Sequence, residues 1–149
     1  MDLNQLLNVA LKIESKGFET YSRLAETQEG SLQALFSHLA QQEREHAKTF
    51  KSLLELPKEE ASSVWWVDDE NAGYMMSFAE MSIFPNIEKA SAVKDLQEAF
   101  EIAIEVEKDS ILFYNDLYPY FPDKKAIEKI IAEEKKHLID LLKESRKEQ

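Results

Sequence analysis

A Glu-x-x-His motif occurs twice in this chain, and both copies lie where a helix should be buried. The copies run from Glu43 to His46 and from Glu134 to His137. Residues three apart lie on one face of an α-helix, and the same faces carry apolar residues at helical spacing. Buried carboxylates and imidazoles are costly unless they are paired. Any fold of this chain must therefore bring partners to both motifs.

The hydrophobic pattern predicts an all-α fold, with residues 1–149 forming one four-helix domain. The chain has only 3 glycines and 4 prolines, which favours helices over a turn-rich β fold. Apolar residues recur at a helical period in four segments. The predicted helices cover residues 2–27, 32–56, 92–118 and 124–146. The predicted N-caps are Asp2, Ser31, Ser91 and Asp123. Short turns within each pair of helices indicate two antiparallel hairpins.

The segment between the second and third helices, residues 57–91, is predicted to cross over along the length of the bundle. A connection this long is seldom plain loop, and a short helix is expected from about Asn71 to Ile83. The segment is rich in methionine and aromatic residues. We expect these side chains to fill the core or a subunit interface rather than a substrate pocket.

Two further glutamates complete a repeated pattern. Glu14 on the first helix and Glu107 on the third helix each lie in the middle of an apolar stripe. The two hairpins match at an offset of 93 residues for these glutamates (107 − 14) and 91 for the Glu-x-x-His motifs (134 − 43). Gly17 and Ser110 follow the two glutamates by three residues, and such small side chains leave room around a carboxylate. The chain therefore resembles a duplicated helical hairpin.

The repeat predicts a site for two metal ions in the middle layer of the bundle. Six side chains would share that layer: Glu14, Glu43, His46, Glu107, Glu134 and His137. No Lys or Arg lies on the four stripes, and leaving four carboxylates unpaired would consume much of a domain's stability of about 5–15 kcal/mol. Two divalent cations would balance the four charges. Oxygen-rich ligation with one imidazole per metal suits iron or manganese better than a structural zinc ion.

Composition excludes several other kinds of function. The net charge of −11 argues against binding to nucleic acid or to anionic membranes. The absence of cysteine excludes disulfides, thiolate metal sites and a cysteine nucleophile. No apolar run approaches the ~18 residues of a membrane span, and the N-terminus shows no signal pattern. The sequence is therefore interpreted as that of a cytoplasmic protein.

Other polar residues near the stripes have simpler interpretations. His38 lies beside its stripe and is predicted to be a surface residue. Tyr21 and Tyr114 lie two turns from Glu14 and Glu107, and they could donate hydrogen bonds to the ligands or be redox-active. We favour core aromatics with satisfied hydroxyls. Exposed, solvated faces are predicted for the remaining charged clusters, including Glu45 and Glu133.

At these residues the chain resembles the rubrerythrin-type di-iron proteins of the ferritin-like superfamily. The resemblance rests on residues 10–17, 39–47, 103–114 and 132–137. It implies a left-handed crossover four-helix bundle, built from two duplicated hairpins, with a carboxylate-bridged di-iron centre. The resemblance places all six residues of the middle layer at ligand positions, and Glu43 and Glu134 at the positions that commonly bridge the metals.

The resemblance also implies an oxidoreductase that reacts with peroxide or dioxygen. Full rubrerythrins carry a four-cysteine iron domain, so a chain without cysteine would need a separate electron donor such as a rubredoxin-like protein. Ser110 takes the place of an additional carboxylate that rubrerythrins tend to carry. Three alternatives stay open: a di-iron hydroxylase of an organic substrate, an iron-binding or sequestration protein without turnover, and a metal-free acidic interaction module. The apolar crossover and the family favour a homodimer.

Overall fold

The computed structural model describes residues 1–56 and 66–148, which form helices and short connections. The helices are α1 (Leu3–Thr27), α2 (Gly30–Leu54), α3 (Asp69–Phe78), α4 (Phe84–Ala92), α5 (Leu96–Leu117) and α6 (Lys124–Lys147). Helices α1 and α2 form one hairpin, and α5 and α6 form the other. The predicted all-α four-helix bundle is therefore confirmed.

Two of the predicted helix ends are wrong, for local reasons. Helix α2 begins at Gly30 rather than after Ser31, because Gly30 adopts a φ of 64°, which a glycine tolerates and which completes the turn from α1. Helix α5 begins at Leu96 rather than at residue 92, because the preceding helix continues to Ala92. Its N-cap is Asp95, whose side chain accepts a hydrogen bond from the backbone N–H of Glu98. The cap predicted at Ser91 is therefore wrong.

The crossover is more helical than predicted. Helix α3 leads through one wider π-helical turn, Ala79–Ile83, directly into α4. Pro85 explains the wider turn, because it lacks the N–H that an α-helix uses to bond the carbonyl four residues earlier. The crossover packs against α1 and α5, and its residues Ile87 and Ala90 are buried. The first part of the predicted crossover, residues 57–65, lies outside the described residues.

The apolar core is divided into two clusters. One cluster joins the early part of α1 to the crossover and the end of α5, and it includes Leu7, Met75 and Phe113. The other joins the later part of α1 to α2 and the start of α5, and it includes Phe36 and Phe100. The ionisable residues of the repeat are absent from both clusters although they are themselves buried. The bundle therefore holds a polar layer between two apolar ones.

Only some of the methionine and aromatic side chains of the crossover lie in the core. Met75 is buried, whereas Trp66 and Met81 are 66% and 81% exposed. The expected homodimer stays a prediction. Within the described ranges, no helix is both long and apolar enough to cross a membrane.

Candidate metal centre

All six residues of the repeated pattern come together in the buried layer. Each of the six is at most 3% exposed. Their side-chain atoms form two groups in which one donor atom per residue lies within 4.8 Å of the others. The groups are Glu14, Glu43, His46 and Glu134, and Glu43, Glu107, Glu134 and His137. Two carboxylates, those of Glu43 and Glu134, therefore belong to both groups, and the site has an approximate twofold relation between the hairpins.

Two tyrosines donate hydrogen bonds to Glu14 and Glu107, the two glutamates that each belong to only one of the groups. The hydroxyl of Tyr114 donates to Oε1 of Glu14 at 2.8 Å. The hydroxyl of Tyr21 donates to Oε1 of Glu107 at 2.6 Å. Burial raises the pKa of both phenols well above the ordinary value, and the neighbouring carboxylates add to the rise. Both tyrosines therefore stay protonated donors, each reaching from one hairpin to the other.

The two histidines present Nδ1 to the carboxylates. Nδ1 of His46 lies 2.9 Å from Oε1 of Glu134 and 3.4 Å from Oε1 of Glu14. Nδ1 of His137 lies 3.3 Å from Oε1 of Glu43 and 3.7 Å from Oε2 of Glu134. The two imidazole rings are stacked with their centroids 6.0 Å apart. Each group of four residues therefore combines three carboxylates with one imidazole nitrogen.

The other ring nitrogen of each histidine contacts a residue that the sequence did not identify as part of the site. Nε2 of His46 lies 2.8 Å from Oε2 of Glu133, and Nε2 of His137 contacts Oε1 of Gln42. The interpretation of Glu133 as a solvated residue is therefore wrong. Its side chain is only 23% exposed, and its carboxylate is directed at His46.

The site fits metal ions because it holds buried donor atoms without partners. Among the described residues, six buried side-chain nitrogen and oxygen atoms have no hydrogen-bond partner, and four of them belong to this layer. These four are Oε2 of Glu14, Oε1 of Glu43, Oε2 of Glu107 and Nδ1 of His137. For Glu14 and Glu107, the tyrosine occupies one oxygen and the other is free. A buried polar atom without a partner is costly in a folded protein, and cations bound in the two groups would satisfy all four atoms.

The carboxyl groups differ in their proton affinity. Burial, with the nearby carboxylates of Glu134 and Glu14, raises the pKa of Glu43 well above its ordinary value. Burial and the charge of Glu134 raise the pKa of Glu107 to about 8. Burial also acts to raise the pKa of Glu14 and Glu134, but hydrogen bonds from their neighbours outweigh it and lower both. When no metal is bound, Glu43 and Glu107 therefore hold a proton more readily than Glu14 and Glu134 do.

The imidazoles are held in the charged form by the same carboxylates. Burial acts to lower the pKa of His46, but hydrogen bonds to Glu134 and Glu14 raise it to about 11. The pKa of His137 rises to about 10, because the carboxylates of Glu107 and Glu134, 3.8 and 3.7 Å from Nδ1, outweigh burial. Two imidazolium ions then balance two carboxylates. Bound divalent cations would take over the charge balance that the protons on these side chains supply.

A small cavity reaches the site from the side of α1 and α5. It measures about 20 Å³ and touches the carboxylates of Glu43 and Glu107. Its other walls are mostly apolar, and the crossover closes it with Ile87 and Ala90. Gly17 is also part of this wall. The cavity has room for about one water-sized molecule.

Gly17 keeps space for Glu43, and its replacement tests that contact. A Cβ at this position would lie 2.9 Å from Oε2 and 3.3 Å from Cδ of Glu43. We expect Gly17→Ala to displace the carboxylate and to weaken metal binding roughly 10-fold or more. A matched control is Gly73→Ala on α3, where an added Cβ meets no atom within 4 Å. The control should gain about 0.5–1 kcal/mol in stability and bind metal as the wild type does. Equal metal affinity in Gly17→Ala, measured by anaerobic titration, would contradict the contact.

His38 takes no part in the site, as predicted, because its side chain is exposed on α2. The signal that could have found Gln42 and Glu133 is the repeat itself. Each residue directly precedes the glutamate of a Glu-x-x-His motif, and the two lie 91 residues apart (133 − 42). Helical spacing alone gave no reason to turn either side chain towards a histidine.

Comparisons with known proteins agree with this geometry. The rubrerythrin family model matches residues 5–145. A solved crystal structure from Thermotoga maritima, described as that of a ferritin-like diiron-carboxylate protein, superimposes with a TM-score of 0.76. It shares 31% sequence identity, over 100% of this chain and 97% of its own. Among curated proteins, no sequence matches the chain significantly.

Proposed function

The chain belongs to the rubrerythrin family, and from that premise we propose that it is a di-iron oxidoreductase that reduces peroxide or dioxygen. The observation that carries the proposal is the pair of four-residue donor groups that share Glu43 and Glu134. One ion alone would not explain why the second group repeats the composition of the first. The relative from Thermotoga maritima, described as a diiron-carboxylate protein, supports iron over manganese.

Each residue of the site has a separate task in this proposal. Glu14 and His46 would bind one iron, Glu107 and His137 the other, and the two shared glutamates would bind both. When bound, two ferrous ions supply the two electrons that, with two protons, convert one hydrogen peroxide into two waters. Tyr21 and Tyr114 keep Glu107 and Glu14 in place.

The cavity favours a small oxidant over an organic substrate. At about 20 Å³ it admits a molecule of the size of water, peroxide or dioxygen. An organic substrate would need the crossover to move away from α1 and α5, because Ile87 and Ala90 are buried in that wall. The apolar wall also limits the access of bulk water to the carboxylates. We therefore place the hydroxylase second to a peroxide- or dioxygen-reducing protein.

Electrons would come from a separate donor in the cytoplasm. The 149 residues contain no cysteine, so they provide no thiolate-bound iron of the rubredoxin type. A rubredoxin-like protein is the kind of partner that this composition favours. Iron binding without turnover differs from the proposal in one respect, since it needs no reductant.

The test is to load the protein anaerobically with ferrous iron and then to add peroxide. We expect two irons per chain, a change in absorbance as the ferrous ions are oxidised, and consumption of about one peroxide per two irons. A reduced rubredoxin should return the absorbance to its starting value. Fewer than two irons per chain, or no change in absorbance with peroxide or dioxygen, would contradict the proposal. Oxidation without re-reduction by any donor would favour sequestration.

A further inference from the structure

The residues that directly precede the two shared glutamates contact the two histidines from the opposite hairpin. Gln42 on α2 contacts Nε2 of His137 on α6, and Glu133 on α6 contacts Nε2 of His46 on α2. In each pair, the ring N–H donates to a side-chain oxygen of the opposite hairpin. This fixes the proton on Nε2 and leaves Nδ1 directed at the carboxylates.

Gln42 and Glu133 occupy equivalent positions of the repeat but differ in charge. The residue before the glutamate is an amide in the first motif and a carboxylate in the second. A carboxylate that accepts from a histidine N–H forms a charge-assisted bond and makes the other ring nitrogen a stronger donor to a metal. The amide of Gln42 does this less, because it is neutral.

The two donor groups are alike in composition. Both contain three carboxylates and one Nδ1, both share the same two glutamates, and each has one tyrosine bonded to its own carboxylate. Lys129 lies 3.8 Å from Glu133, but its side chain is 79% exposed. An exposed partner of this kind compensates little of the charge. The carboxylate of Glu133 therefore distinguishes the surroundings of His46 from those of His137.

We propose that Gln42 and Glu133 are positioning residues that make the two metal positions unequal, with the tighter position at His46. The inference rests on the proposed function only in requiring that two metals bind. A single equivalent of metal occupies the His46 position first, and the His137 position fills second. The expected difference in affinity is roughly 10-fold, the lower end of the effect of such outer contacts.

The test uses the charge swap that the repeat offers. Glu133→Gln removes the charge and keeps an acceptor, Gln42→Glu adds the charge on the other side, and the double variant exchanges the two. Each protein is crystallised anaerobically with one equivalent of Fe²⁺, and the anomalous peaks at the two positions are compared. Anaerobic Fe²⁺ titrations give the two affinities. Melting of the metal-free variants, followed by circular dichroism, shows that each one is folded.

The wild type should show the stronger peak beside His46, and the double variant the stronger peak beside His137. Glu133→Gln should weaken the tighter affinity roughly 10-fold and bring the two peaks close to equal height. Equal peaks in the wild type, or a preference for His46 that persists in the double variant, would overturn the inference while leaving two metals bound. A total of fewer than two metals at saturation would instead contradict the proposed function.

Discussion

Glu43→Gln is expected to abolish the binding of the second metal and to weaken the first roughly 100-fold or more, since four ligands together contribute about 10–16 kcal/mol in small structural sites. Glu43 belongs to both donor groups, so one substitution removes a negative charge from each. Its pKa is raised well above the ordinary value by burial and by the carboxylates of Glu134 and Glu14. A neutral side chain at this position is therefore favoured more in the metal-free protein than it would be in water. Because Glu43 is buried, the unfolding free energy without metal should change by up to about 3 kcal/mol, the usual range for a point substitution.

The control for this variant is Glu45→Gln, two residues along the same helix. Glu45 is exposed, and its side chain accepts hydrogen bonds from Gln41 and Lys48 on the surface of α2. The Glu45→Gln variant should bind two metals with the affinity of the wild type. Metal content by elemental analysis and melting by calorimetry give the two readouts. If Glu43→Gln bound two irons as tightly as Glu45→Gln, the shared carboxylate would not be a ligand.

The stability of the protein should depend on pH in opposite ways with and without metal. In the folded protein the pKa of Glu107 is raised from 4.5 to about 8. The pKa of His46 is raised from 6.5 to about 11, and that of His137 from 6.5 to about 10. A group whose pKa is raised by folding stabilises fully below its unfolded pKa, and that stabilisation is lost as pH rises through the folded pKa. The unfolding free energy of the metal-free protein should therefore fall by several kcal/mol between pH 6.5 and 9. The melting temperature should fall by roughly 10 °C over the same range.

Bound metal should reverse this trend. The ligands must lose their protons to bind, so metal affinity rises with pH, and the stabilisation by a fixed free metal concentration rises with it. At pH 7, loading with two Mn²⁺ should release at least two protons, from the two imidazoles, whose pKa values of about 11 and 10 keep them charged at this pH. Calorimetry from pH 6.5 to 9 and titration in weak buffer measure both effects. A metal-free protein that gains stability over this range, or a release of less than one proton, would contradict the charge balance of the site.

The sequence predicted the four-helix bundle and the six buried side chains that come together in it, but not the contacts around them. The six buried donors stood out because ionisable residues on apolar stripes break a pattern that is otherwise simple, and because the pattern occurs twice. Periodicity says which face of a helix is buried, but it does not say which helix lies opposite. For that reason the bonds from Tyr21 to Glu107 and from Tyr114 to Glu14 follow only from the structure.

The continuous helix of the crossover and the contacts of Gln42 and Glu133 with the histidines could not be predicted from the sequence, for different reasons. Pro85 lies inside the helical run of residues 69–92, and a proline normally marks the end of a helix. Only the structure shows that a π-helical turn lets the helix continue. Glu133 lies in a charged run that reads as a solvated surface, and its inward turn depends on the position of His46 in the other hairpin. Both features depend on contacts between segments distant in the chain.

The most direct test of the central claim is an anomalous-scattering map at the iron edge, from crystals of protein loaded anaerobically with excess ferrous iron. We predict two peaks inside the bundle, one beside His46 and one beside His137, with Glu43 and Glu134 in contact with both. A map with no peak in this layer, or with a single peak at full loading, would contradict the assignment of the site to two metals.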